Sequence, residues 1–196
     1  MLKAELQNIS EEELIRGCSD GKELHCRILF EKYYGKMLNV CRRYASDRDE
    51  SRDMVQEGFI RVFKNIGQYK GEGSFEGWMR RVMVTTCINY FHKHHRHNEV
   101  DYGDDTELLF SGNGSEHYAE TKIPYAEKQS EAVLLALVQK LPQAFRVVFN
   151  LHVIEGYSHS EIAVKLNISE STSRTNLLRA RKKLMNIIQS NEFQKI

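Results

Sequence analysis

The chain has 196 residues, 41% hydrophobic and 28% charged, with a formal net charge of +1. That length holds one large or two small domains, and the near-neutral balance means that a nucleic-acid partner must be signalled by local segregation of charge. No run of about 18 apolar residues exists to cross a bilayer, the start MLKAELQNISEEELI lacks the basic and apolar parts of a signal peptide, and Cys18, Cys26, Cys41 and Cys87 are widely spaced without a CxxC pair. These features predict a cytoplasmic protein with no membrane insertion and no disulfide.

Only two prolines occur, Pro124 and Pro142, and strand-like alternation is scarce, so the periodic segments favour helix. Ser10 with Glu13 resembles a capping box opening a short helix that ends near Gly17. Asp20 is placed to cap a longer helix, about Glu23 to Ala45, carrying Leu24, Ile28, Leu29, Met37, Leu38 and Cys41 at roughly helical spacing. Asp47 or Asp49 starts a third, in which Val55, Phe59, Val62, Phe63 and Ile66 form an apolar stripe. Opposite that stripe lie Asp49, Asp53, Gln56, Glu57 and Lys64, an acidic and amide face that suits either solvent or a basic partner. Gly67, Gly71 and Gly73 break the pattern, and Ser74 caps a fourth helix running through Trp78 toward His97.

The segment QYKGEGSFEGWMRR, Gln68 to Arg81, mixes aromatics, glycines and bases. Tyr69, Phe75 and Trp78 offer stacking faces, and Lys70, Arg80 and Arg81 could hold phosphates, as single-strand binding requires. Phe75 and Trp78, three apart on a helix, read better as core, which leaves Tyr69 as the stacking candidate. Arg80 to His97 then carries four basic residues and no acid. His92, His94, His95 and His97 within it have i,i+3 rather than i,i+4 spacing, with Glu99 the nearest acid, so a helix end facing phosphate fits better than a zinc site. Asn98 to Glu127 reverses the sign, with eight acids against Lys122, and from Asn98 to Pro124 the glycines Gly103, Gly112 and Gly114 suit a mobile connector.

A second module begins near Tyr125, with a helix from about Ala126 to Lys140 and another from Pro142, at its first turn, through His152. Ser158 to Leu184 reads as two short helices around a tight turn. Ile162 and Leu166 share a face, Ala163 allows close approach, Asn167 suits a left-handed exit, and Ser169 is an N-cap for a helix starting at Glu170. Six basic residues against Glu161 and Glu170 concentrate on the second helix, where Arg174, Thr175 and Asn176 carry donors for base edges. A helical hairpin with a solvated basic face is the alternative.

Three stretches in this order, LFEKYYGKMLNVCRRYASDRDESRDMVQEGFIRVFKNI, YKGEGSFEGWMRRVMVTTCINYF and LPQAFRVVFNLHVIEGYSHSEIAVKLNISESTSRTNLLRARKKL, resemble the extracytoplasmic-function sigma factors of the sigma-70 type. The resemblance implies an all-α, non-enzymatic protein of two small helical domains. Residues 1–97 would be sigma region 2, 98–124 a flexible acidic linker, and 125–196 sigma region 4 with the helix-turn-helix. It implies core RNA polymerase as partner, through the clamp helices of the largest subunit and the flap, together with promoter DNA, an anti-sigma factor and no cofactor. Asp53, Gln56 and Glu57 would dock on the polymerase. Asn65, Tyr69, Lys70 and Thr85 would hold a flipped base of the minus-ten element, with Asn89, Tyr90 and Lys93 along the strand. Arg174, Thr175, Leu178 and Arg179 would contact minus-thirty-five bases, with Ser171 and Thr172 near phosphates. Two positions depart from the family pattern: Thr85 stands where Asn is common, and Ser173 where a buried Val is common. Two rival readings are a stand-alone helix-turn-helix regulator and a metal-dependent nuclease built on the histidines.

Overall fold

The computed structural model describes residues 9–95 and 131–190, and among them every regular element is a helix. In chain order these are α1 (Glu11–Ser19), α2 (Glu23–Arg42), α3 (Arg48–Asn65), α4 (Phe75–His95), α5 (Glu131–Gln139), α6 (Gln143–Phe149), α7 (His159–Leu166) and α8 (Glu170–Gln189). A 3-10 turn, Ile66–Gln68, follows α3, and a wide π turn, Asn150–Ile154, continues α6. The expected connector, the start of the expected helix at Ala126 and the histidines beyond His95 lie outside the described residues.

Local capping chemistry starts most of these helices. Ser10 Oγ accepts from Glu13 N at 3.2 Å, and Asp47 Oδ1 accepts from Asp49 N and Glu50 N at 2.9 and 2.8 Å, so Asp47 is the cap of α3. Two expectations are corrected. Asp20 closes α1, donating its own backbone N–H to Arg16 O, while α2 begins after Lys22 without a side-chain cap and ends at Arg42, short of Ala45. Pro142 is the residue before α6 rather than in its first turn.

The first bundle forms because the apolar faces of α2, α3 and α4 meet. Leu29, Met37, Phe59, Phe75, Met79 and Met83 are at most 2% exposed, and full burial of such side chains contributes roughly 1.5–3 kcal/mol each. In the third helix Val55, Phe59, Val62 and Ile66 are buried as the stripe predicts, and Phe63 packs at its edge. Leu24 faces out, 44% exposed, against expectation. α3 and α4 touch closely at Gly58, where an added Cβ would lie 2.1 Å from Met83 Sδ. The cysteines are free thiols. Cys18 meets Cys26 and Cys41 meets Cys87, and burial pushes the Cys18 thiol up to about 12.

The second bundle packs α5, α6 and α7 around α8, burying Val147, Leu151, Ile162, Leu177, Ala180 and Leu184. Arg146, only 5% exposed, sits inside it. Its guanidinium donates to Gln139 O at 3.1 Å and to Leu141 O at 2.8 Å, filling carbonyls that the end of α5 leaves without helical partners. It also donates to Ala45 O of the first bundle. Burial lowers the pKa of this guanidinium from its ordinary value.

Candidate nucleic-acid interface

The turn between α7 and α8 is built from the predicted residues. Ser158 and Glu161 form a reciprocal capping box at the start of α7, and the two hydrogen bonds from Ser158 hold the Glu161 carboxyl below the usual carboxylate range. Asn167 ends α7 in the left-handed conformation (φ 54°, ψ 48°), and Ser169 Oγ accepts from Thr172 N at 3.0 Å to start α8. The inward face of α8 is Ser173, Asn176, Leu177, Ala180, Leu184 and Ile187. That register turns Ser171, Arg174 and Leu178 to the surface and leaves Thr172, Thr175 and Arg179 half-exposed. Arg174 pairs with Glu170 at 3.0 Å on the exposed side, and the Arg179 guanidinium lies 6.0 Å from the Phe145 ring. Asn176, read from sequence as a base-reaching donor, is 4% exposed and faces the core, so it is removed from that set.

Ser173, the odd polar residue of α8, is fully buried and has a partner. Its Oγ lies 2.8 Å from His159 Nδ1. The His159 ring stacks on His152 with centroids 4.4 Å apart, and His152 Nδ1 lies 2.8 Å from Tyr157 O. Burial, then His152 and Arg174, lower the pKa of His159, so the imidazole is held neutral. A chain of polar groups therefore joins α8 to α7.

The second surface lies on α4. Arg81, Thr85, Asn89 and Lys93, each four residues on from the last, form one exposed stripe. Thr85 Oγ1 donates to Arg81 O at 2.9 Å, which uses its only hydrogen. Before this helix, Gly71 and Gly73 take positive φ (78° and 77°), and the loop they form is tied by Tyr69 Oη donating to Gly73 O at 2.7 Å. The Tyr69 ring packs 5.1 Å from Phe75 and 5.9 Å from Trp78, with Phe75 and Trp78 stacked at 5.6 Å. Tyr69 is thus half-buried in an aromatic cluster rather than free in a loop. Phe75 is core, as expected. Lys70 is exposed and Tyr90 half-buried. Asn65, also half-buried, spends its amide locally, donating to Arg61 O at 2.8 Å and accepting from Gln68 at 3.2 Å. Arg80, read as a phosphate ligand, instead makes two hydrogen bonds to Glu155 at 2.8 and 2.9 Å.

The third surface is the outer face of α3, where Asp49, Asp53, Gln56 and Glu57 are all exposed. Arg61 answers Glu57 at 2.5 Å and Arg52 answers Asp49 at 3.0 Å. Ile60, 61% exposed, continues this row one turn after Gln56 as an exposed apolar side chain at i+4 spacing. Among the described residues no group of three or more metal-ligating side chains is gathered, and His92, from the histidine run, contacts Lys165 O at 2.9 Å. No helix is long and apolar enough to cross a membrane among those residues.

Two family models match: sigma-70 region 2 over residues 29–97, and sigma-70 region 4 over residues 131–184. The Haemophilus influenzae ECF RNA polymerase sigma-E factor is 28% identical over 188 residues, 93% of this chain and 97% of that protein. The Pseudomonas aeruginosa RNA polymerase sigma-H factor is 24% identical over 181 residues, 91% and 94% of the two chains. A solved complex of the sigma factor RpoE with the anti-sigma factor NepR from Bartonella quintana aligns at a TM-score of 0.47 and 15% identity, over 84% of this chain and 97% of that one. The first two stretches quoted from the sequence fall mostly in the region 2 match and the third in the region 4 match. The chain belongs to the sigma-70 family as an extracytoplasmic-function sigma factor, a non-enzymatic subunit that directs promoter-specific initiation by RNA polymerase.

Proposed function

We propose a division of labour in which residues 1–97 join core polymerase and open the minus-ten element, residues 125–196 read the minus-thirty-five element, and residues 98–124 connect them. The observation that supports this most is the register of α8. Its inward positions are filled by Ser173, Asn176, Leu177 and Ala180, so Arg174, Thr175, Leu178 and Arg179 share the outward side, with Ser171 and Thr172 at the helix start where N–H groups favour phosphate. Asp53, Gln56 and Glu57 dock on the basic clamp helices of the largest subunit, and Ile60 adds an apolar anchor to an acidic rim. Region 4 meets the flap, an anti-sigma factor covers the two domains in the absence of signal, and the protein acts in the cytoplasm.

On α4 the reading places Thr85 beside a flipped base held near Asn65, Tyr69 and Lys70, with Asn89, Tyr90 and Lys93 following the strand. Because Thr85 already donates to Arg81 O, it offers the base only an acceptor, which favours an edge bearing an amino group. Tyr69 stacks from a cluster that is already ordered, so little entropy is lost on capture. Permanganate reactivity of minus-ten thymines in holoenzyme complexes tests this half of the reading. Tyr69→Ala should abolish most of the opening signal while the closed complex still forms. Full reactivity with Tyr69→Ala would contradict it.

A further inference from the structure

The recognition helix α8 is braced by a histidine. His159 opens α7 with its ring half-exposed, and its Nδ1 lies 2.8 Å from the Oγ of Ser173 on the inward face of α8. Arg174, the next residue along, stands on the outward side. Behind the ring His152 is stacked, its centroid 4.4 Å away and its plane 14° from parallel. The wide π turn after α6 carries His152 to that place, and Tyr157 O fixes it at 2.8 Å from Nδ1. A carbonyl only accepts, so neutral His152 keeps its hydrogen on Nδ1.

The charges around His159 come from every neighbouring element. From α8, Arg174 and Arg181 disfavour a proton on the ring, and Glu170 favours one while it pairs with Arg174 at 3.0 Å. From the π turn, His152 disfavours it. On α7 itself Glu161 is committed to the cap at Ser158, and Lys165 lies over the Tyr157 ring at 4.6 Å. His92 of α4 sits at the far end of α7, on Lys165 O. The surroundings are therefore cationic on balance, and with burial they keep the ring neutral in the free protein. The bond to Ser173 does not forbid a charge. A hydroxyl accepts from Nδ1–H as readily as it donates to Nδ1, so the contact survives when the ring carries both hydrogens. What opposes the proton is repulsion from Arg174 and Arg181, and phosphates lying along α8 cancel that repulsion.

We propose that His159 is a positioning residue for minus-thirty-five reading that works through a proton: it takes one up from solvent as the duplex docks, and the imidazolium then holds Ser173, and with it Arg174, against the element. This rests on the promoter-reading assignment above, because it needs Arg174 to face the duplex. Linkage gives the sign. If DNA strengthens proton binding at His159, the proton strengthens DNA binding by the same factor, so affinity rises as pH falls, by at most about tenfold per unit for a single proton.

Fluorescence anisotropy of the full chain with core polymerase on a labelled promoter fragment, from pH 8 to pH 5.5 at fixed salt, tests it on the wild type, His159→Gln and His152→Gln. Circular dichroism at each pH restricts the comparison to folded protein, and the polymerase's own pH dependence is common to all three. The wild type should bind ~3- to 10-fold more tightly at pH 6 than at pH 8. His159→Gln keeps an amide toward Ser173 but cannot titrate in this range, and it should lose most of that gain. His152→Gln removes a neighbour that opposes the charge, and its gain should set in at higher pH. Equal pH profiles for wild type and His159→Gln would overturn the proposal. So would a profile abolished by His152→Gln and kept by His159→Gln, which would put the proton on the other ring. Discrimination of the minus-thirty-five element that persists without any pH dependence refutes only the proton linkage, whereas absence of discrimination at every pH refutes the promoter-reading assignment itself.

Discussion

Ser173→Ala is the most informative single change in the DNA-reading domain. It deletes a fully buried hydroxyl whose partner is His159 Nδ1 at 2.8 Å. A neutral hydrogen bond is worth about 0.5–1.5 kcal/mol net, and the stranded imidazole nitrogen adds to the loss only in part because His159 is half-exposed, so the expected destabilisation is ~1–2 kcal/mol. For a domain of this size that is a drop in melting temperature of about 4–8 °C per kcal/mol. The same site carries a pH dependence. His159 has a lowered pKa because burial, His152 and Arg174 disfavour its charged form, with Arg181 adding to them and Glu170 opposing. A depressed folded-state value means the unfolded chain binds the proton first. The stability is therefore complete above about pH 6.5 and is lost as pH falls through the folded value, at up to ~1.4 kcal/mol per unit. Thermal unfolding of the full chain between pH 8 and pH 5, with Ser173→Ala and His159→Gln beside the wild type, measures both effects. Ser173→Ala should melt lower at pH 8, and His159→Gln should flatten the acid limb. An unchanged midpoint for the first, or an unchanged slope for the second, would refute the reasoning.

Arg174→Ala should weaken binding to a minus-thirty-five duplex by about 1–3 kcal/mol and relax specificity there, with little change in melting temperature at pH 8, because among the described residues its hydrogen bond is an exposed pair with Glu170; equilibrium binding to matched and mismatched duplexes reads this. Arg146→Met removes the donor that serves Gln139, Leu141 and Ala45, and chemical denaturation should record a loss of about 2–4 kcal/mol. Gly58→Val places carbon where Met83 Sδ now sits, so thermal melting should fall by the equivalent of about 1–3 kcal/mol as the third and fourth helices are forced apart, whereas Gly35→Ala, in open space on the second helix, should be neutral or stabilising.

Much of this fold is written in local chemistry, and those parts were legible. Asn167 and Ser169 mark the helix-turn-helix because left-handed backbone and N-capping each depend on residues within one turn of chain. The stripe Val55, Phe59, Val62 and Ile66 is likewise a matter of helical spacing. Phase was harder. Arg174, Thr175 and Asn176 are consecutive, yet a helix turns about 100° per residue, and the apolar positions Ala180 and Leu184 already put Asn176 on their inward side. Leu24 shows the converse, since periodicity gives a face but not whether a neighbour covers it. The Arg80 to Glu155 pair joins residues 75 apart in sequence, and the contact of Ser173 with His159 depends on the crossing of two helices. Nothing local announces either.

The central claim is that this chain gives RNA polymerase its choice of promoter. In vitro transcription with purified core polymerase on a promoter library tests it most directly. The account predicts transcripts from a subset sharing minus-thirty-five and minus-ten elements, with Arg174→Ala relaxing selection at the first and Tyr69→Ala lowering output by impaired opening. A folded protein that binds core polymerase yet yields no promoter-specific transcripts would contradict it.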